Sequence, residues 1–159
     1  MNFSEANFNL ASLQDVHFSE TALLSATIES ARLTDVQFGS DVARTVSSTS
    51  FDLLSFQDST LTDVTFYDRG HSMNFTDAHL TNVNFFGHVS GTDFRGAALN
   101  NVTFSPDQTF FTGGLGQVNL TGVDLSTVEL PIGSHPCPLL SADARYRCND
   151  AEGIQLNTP

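Results

Sequence analysis

From the N-terminus, apolar residues fall at every fifth position: Phe3, Phe8, Leu13, Phe18, Leu23, Ile28, Leu33 and Phe38. Two residues before most of them stands something small or β-branched, as in Ala6, Ala11, Val16, Thr21, Ala26, Ala31 and Val36. A helix, repeating every ~3.6 residues, would drift off this stripe, and a strand would demand strict alternation. The five-residue period predicts one short extended side per repeat, followed by a bend that turns the chain inward again.

A longer repeat contains the short one. Leu13-Gln14-Asp15-Val16-His17-Phe18 returns as Leu33 to Phe38, Leu61 to Phe66, Leu80 to Phe85, Leu99 to Phe104 and Leu120 to Leu125. Self-similarity at a nearly fixed spacing is the signature of a solenoid. With 159 residues, the chain is long enough to bury a core as one domain.

The pattern resembles the pentapeptide-repeat family, whose consensus is a small residue, Asn or Asp, Leu or Phe, and two polar positions. Ala6-Asn7-Phe8-Asn9-Leu10 and Ala78-His79-Leu80-Thr81-Asn82 carry it, and twelve of the fourteen phenylalanines sit on the centre position. The resemblance implies an all-β fold, a right-handed quadrilateral parallel β-helix of about six coils over residues 1–130. Centre residues then stack in columns. One column is Leu13, Leu33, Leu61, Leu80, Leu99 and Leu120; the next is Phe18, Phe38, Phe66, Phe85 and Phe104, ending in Leu125. A third is Phe8, Ile28, Phe56, Phe75, Phe94 and Leu115, and Phe3, Leu23, Phe51 and Phe110 occupy the fourth side.

The repeat is irregular on that fourth side. The interval from Phe38 to Phe51 carries an insertion around residues 39–50, while Phe66 to Phe75 and Phe85 to Phe94 each fall one residue short of two repeats. Insertions gathered on one face point to a binding surface, and Asp68, Arg69, His71 and His88 lie there. After Leu130 the pattern stops. An open solenoid end needs covering, so residues 131–159 are expected to form a short C-terminal cap, with a helix from Leu139 to Cys148 opened by Ser141. The spacing of Cys137 and Cys148 suits a local disulfide stapling that cap.

Charge narrows the partners. Eighteen acidic residues against six arginines give a net charge of −12, which argues against direct binding of nucleic acid or an anionic membrane. No apolar run is long enough to span a bilayer. The chain begins directly in the repeat, without a leader, which leans towards the cytoplasm, whereas the tail cysteines point to an exported or lumenal protein. Oligomeric state stays open, a dimer included.

Motifs that carry chemistry are scarce. The chain has no Gly-rich phosphate loop, no metal-binding histidine pair at helical spacing and no nucleophile elbow, so neither enzymatic activity nor a cofactor is expected. Four Asn-x-Ser/Thr sequences, at Asn2, Asn74, Asn101 and Asn119, are generated by the repeat itself. Asp15, Asp35 and Asp63 occupy one place in successive motifs and should form a ladder along one edge, with Asn82, Asn101 and Gly122 on its later rungs. The leading reading is a non-enzymatic scaffold that binds a protein. The alternative follows from the resemblance: some family members imitate duplex DNA and protect DNA gyrase or topoisomerase from quinolones.

Overall fold

The computed structural model describes residues 1–40, 51–105, 118–133, 137–140, 144–149 and 151–158. Strands come in pairs, one pair per coil: β1 (Ser12–Gln14) and β2 (His17–Phe18), β3 (Arg32–Thr34) and β4 (Gln37–Phe38), β5 (Thr60–Thr62) and β6 (Thr65–Phe66), β7 (His79–Thr81) and β8 (Asn84–Phe85), and β9 (Ala98–Asn100) and β10 (Thr103–Phe104). The odd-numbered members form one five-stranded parallel sheet and the even-numbered a second. We call these faces A and B. Face D, through Phe8, is held by isolated parallel bridges that link Asn7 to Thr27, Ser55, Asn74, Asp93 and Asn119 in turn. Face C, through Phe3 and Leu23, completes the square. The fold is the right-handed quadrilateral β-helix expected from the repeat, with about five turns rather than the six expected.

Each centre residue and the small residue two before it point inward, which is why the latter must be small. Ala26, Ala31, Val36, Val64, Val83 and Val102 are buried beside the columns. Leu13 pairs with Leu33, Leu33 with Leu61, Leu61 with Leu80 and Leu80 with Leu99. Phe18, Phe38, Phe66, Phe85 and Phe104 are stacked in that order. Centroid spacings of 4.8 Å between Phe38, Phe66 and Phe85 match the ~4.8 Å separation of hydrogen-bonded strands. A second stack, Phe56, Phe75 and Phe94, meets the first edge-on, with Phe56 and Phe66 at 5.6 Å and 86°. Edge-to-face pairs of this kind add about 0.5–1.5 kcal/mol each beyond burial.

The last layer departs from the expected columns. Asp93 bridges Asn119 and Thr103 bridges Glu129. Leu120 therefore lies under Phe94 rather than Leu99, Leu125 follows the Leu column and Leu130 follows Phe104. The passage from face B to face D takes sixteen residues from Phe104 to Leu120, against nine from Phe85 to Phe94, so the motif rejoins the stack one face earlier than its spacing predicts. Leu115 and Phe110 fall outside the described residues.

Face C also differs. The Gly70 N–H donates to the His88 carbonyl oxygen (2.8 Å), which sets Gly70 on the rung of Val89, beneath Phe51. Gly70 has no side chain to fill the column, and buried Met73 takes the space: a Cβ on Gly70 would come 2.5 Å from its Sδ.

Beyond Leu130 the expected helix is absent among the described residues. Strand β11 (Asn119–Leu120) pairs in parallel with β12 (Leu139–Leu140), and β13 (Tyr146–Asn149) forms an antiparallel hairpin with β14 (Gly153–Leu156). The open edge of the last layer explains this: unpaired backbone on β11 recruits Leu139 and Leu140 into a ladder, which a helix there would leave unsatisfied. Tyr146 and Ile154 are buried, and the Tyr146 hydroxyl donates to the Val128 carbonyl oxygen at 2.8 Å. A disulfide joins Cys137 to Cys148, with Cα atoms 5.8 Å apart.

Candidate interaction surface

The corners decide which polar side chains face outward and in what order. Two residues after the centre, the backbone turns through the left-handed region, at φ 55° for Asp15, 54° for Asp35, 55° for Asp63, 55° for Asn82 and 53° for Asn101. Asp and Asn tolerate this conformation because their short polar side chains satisfy nearby groups. The Asp ladder is thus first a consequence of the turn. It stands exposed on the edge between faces A and B. Its later rungs are tied together: the Asn82 amide donates to Asp63 Oδ1 and the Asn101 amide to Asn82 Oδ1, both at 2.9 Å. Gly122 does not continue the ladder. Thr127 takes that rung, accepting from the Asn101 N–H at 3.3 Å and donating to the Leu99 carbonyl oxygen.

The residue before the centre has its own task. Asn2, Asn74 and Asn119 each accept, through Oδ1, a hydrogen bond from the backbone N–H of the Ser or Thr two residues on. Three of the four Asn-x-Ser/Thr sequences are therefore turn-forming side chains. Asp93 does the same for Arg95 and also receives the guanidinium in an ion pair of 2.6 Å. Partial burial opposes the charge on Asp93, but the side-chain and backbone hydrogen bonds from Arg95 and its positive charge outweigh that, and the carboxyl titrates below the ordinary aspartate range.

On the irregular side the residues that the sequence grouped run on adjacent rungs but differ in exposure. Arg69 is exposed, and His71 and His88 are half-buried. His71 contacts the Ser90 hydroxyl through Nδ1, while the His71 backbone N–H donates to Asp52 Oδ1 at 2.9 Å. Asp68 is buried, its carboxyl folded into the space a side chain on Gly39 would occupy. Asp68 Oδ2, His88 Nδ1 and Thr92 Oγ1 are buried and have no hydrogen-bond partner among the described residues. Among the described residues no three His, Cys, Asp or Glu side chains gather as a metal would need.

Two surface features were not singled out in the sequence. Tyr67 and Phe86 stack on the corner between faces B and C, 5.5 Å apart and 10° from parallel. The Phe85-Phe86 doublet was the available signal, since one of its rings has to leave the centre position. Leu10, Leu24 and Leu53 are exposed at the two corners that bound face D. The five-residue stripe hid them, because they lie beside the centres rather than on them.

Residues 2–38 match the family model for pentapeptide repeats, in eight copies. Among solved structures the chain is similar to HetL, a pentapeptide repeat protein involved in heterocyst differentiation regulation from the cyanobacterium Nostoc sp. strain PCC 7120. That likeness has a TM-score of 0.60 at 16% identity, over 97% of this chain and 62% of HetL; the chain therefore spans less than two thirds of HetL's length. Full-length QnrB1, a plasmid-mediated fluoroquinolone resistance protein, is similar over 91% of this chain and 75% of its own, with a TM-score of 0.45 at 14% identity. No curated protein sequence matches the chain.

Proposed function

The chain belongs to the pentapeptide-repeat family, and from that premise we propose that it is a non-enzymatic β-solenoid working as a protein-interaction scaffold. The observation that carries this reading is the repetition of outward positions in register over five-stranded, unbroken sheets. Each position projects once per coil, so a partner meets rows of side chains at ~4.8 Å spacing on a stiff support. Binding to such a surface needs little reorganisation, and preorganisation favours affinity. The test is capture of a specific partner from the native host, repeated with Asp15, Asp35 and Asp63 changed to Asn together. A turnover that vanishes on changing one polar residue, with the fold intact, would sink the scaffold reading.

One observation favours a second reading, a DNA mimic that protects or inhibits a type II topoisomerase such as DNA gyrase. Asp15, Asp35 and Asp63 form a column of carboxylates on consecutive rungs at one exposed edge. Steering by such charge weakens steeply as salt rises. Titration into a gyrase supercoiling assay, with and without a quinolone and at two salt concentrations, separates the readings. Salt-sensitive protection lost in the triple Asn variant favours mimicry, and a flat response removes it.

A further inference from the structure

The leucines that border face D are misplaced for a soluble solenoid. Leu10 and Leu53 occupy corner positions at φ 63° and 58°, where most other corners carry Asp, Asn, Ser, Glu or Gly. A leucine there gains no side-chain hydrogen bond and incurs left-handed strain. Both are also largely exposed, at 81% and 57%, and Leu24 is 43% exposed. The Ser25 N–H donates to the Asp52 carbonyl oxygen, which places Leu24 and Leu53 on adjacent rungs of the same corner. Among the described residues, nothing in the turn or in the core calls for leucine at these positions.

The charge around them is one-sided. Among the described residues of the first five coils, face D and its two corners carry Glu5, Glu29, Asp52, Asp58, Asp77 and Asp93, against a single guanidinium, Arg95, already paired with Asp93. The surface between the leucines is rigid: Glu29 accepts from the Ser55 hydroxyl at 2.7 Å and from the Asn9 amide at 3.4 Å, and the Glu29 N–H donates to Asn9 Oδ1. A second copy of this chain, with its own net charge of −12, would be repelled. An occupant with basic residues and apolar anchors is complementary in both respects.

Resting on the scaffold reading, we propose that face D is the docking surface for a basic, amphipathic protein segment, whose apolar side chains seat against Leu24 and Leu53. Leucine at position 53 serves this contact at the expense of the turn.

The experiment measures binding of two peptides of equal length and charge, one alternating leucine with lysine and the other serine with lysine. The intact protein should bind the leucine–lysine peptide about tenfold more tightly. In the Leu24→Ser, Leu53→Asn double variant the two peptides should bind alike, while the melting temperature stays level or rises. Equal binding of both peptides by the intact protein overturns the proposal, as does a preference that survives in the double variant. Either result leaves the scaffold reading to be judged separately, by partner capture with the Asp15, Asp35 and Asp63 variant, since those residues lie on another edge. If the double variant melts lower, Leu53→Asn alone repeats the test, and an undiminished preference there likewise counts against the proposal.

Discussion

At the scale of single residues, a side chain's value depends on whether it fills a column or a corner. Phe66 stacks on Phe38 and Phe85 and meets Phe56 and Phe75 edge-on. Removing its ring opens a cavity that the neighbouring rungs, fixed by backbone pairing, cannot close. Phe66→Ala should lose about 3–5 kcal/mol, read by chemical denaturation; melting like the parent would mean that the stack contributes little. Corner residues obey the opposite rule. Leu53 buries little and sits at φ 58°, so Leu53→Asn should gain about 1 kcal/mol by relieving left-handed strain. A loss of stability from that exchange would show that Leu53 is packed against something the fold requires.

At the scale of elements, the repeat specifies centres but not faces. Every pentapeptide reads alike, so Leu120 to Leu125 looks like one more copy of Leu99 to Phe104, and only the length of the preceding connection decides which column it joins. That is why the centres of faces A, B and D were legible over the first five coils, while the last layer was displaced by one face. The terminal strands were illegible for a related reason. Leu139 and Leu140 have no strand-like alternation of their own; they are extended because the exposed edge of Asn119 and Leu120 needs partners. The corner ladder of Asp15, Asp35 and Asp63 could be written down in advance, whereas the placement of Asp68 could not, since its burial depends on Gly39 in the neighbouring coil. The tail also makes a testable element. Cys137 and Cys148 close a loop of eleven residues around the segment that covers the last layer, and tying so short a loop is worth about 2–3 kcal/mol. Reduction should lower the melting temperature without altering the far-ultraviolet spectrum of the folded state. An unchanged melt would mean that β12 and Tyr146 hold the end unaided.

For the whole molecule, stacking turns a local preference into a long-range electrostatic cost. In an ordinary globular domain the carboxylates demanded by turns scatter over the surface. Here one turn position recurs on every coil, so Asp15, Asp35 and Asp63 stand on successive rungs, with ~4.8 Å between strands. Two unit charges at that separation repel by about 0.9 kcal/mol even in bulk water, and a net charge of −12 adds a diffuse field. The same column contains its own remedy: at Asn82 and Asn101 the amide bridges the rungs, donating to the oxygen of the coil before it. Asp35 is the middle of the three carboxylates and its φ of 54° suits asparagine equally well. Asp35→Asn should therefore remove two repulsions, supply a donor to Asp15, and raise stability by about 1 kcal/mol at low ionic strength. The gain should shrink at high salt, where the Debye length falls to about 3 Å at 1 M and exposed charges are screened. Melting both proteins at the two salt concentrations isolates the electrostatic part, because turn geometry does not depend on salt. A gain that persists at high salt would assign the benefit to the new hydrogen bond. A loss at low salt would mean that the carboxylate of Asp35 is not repelled where it stands, and the acidic edge would then be a property of the fold rather than a surface held ready for a partner.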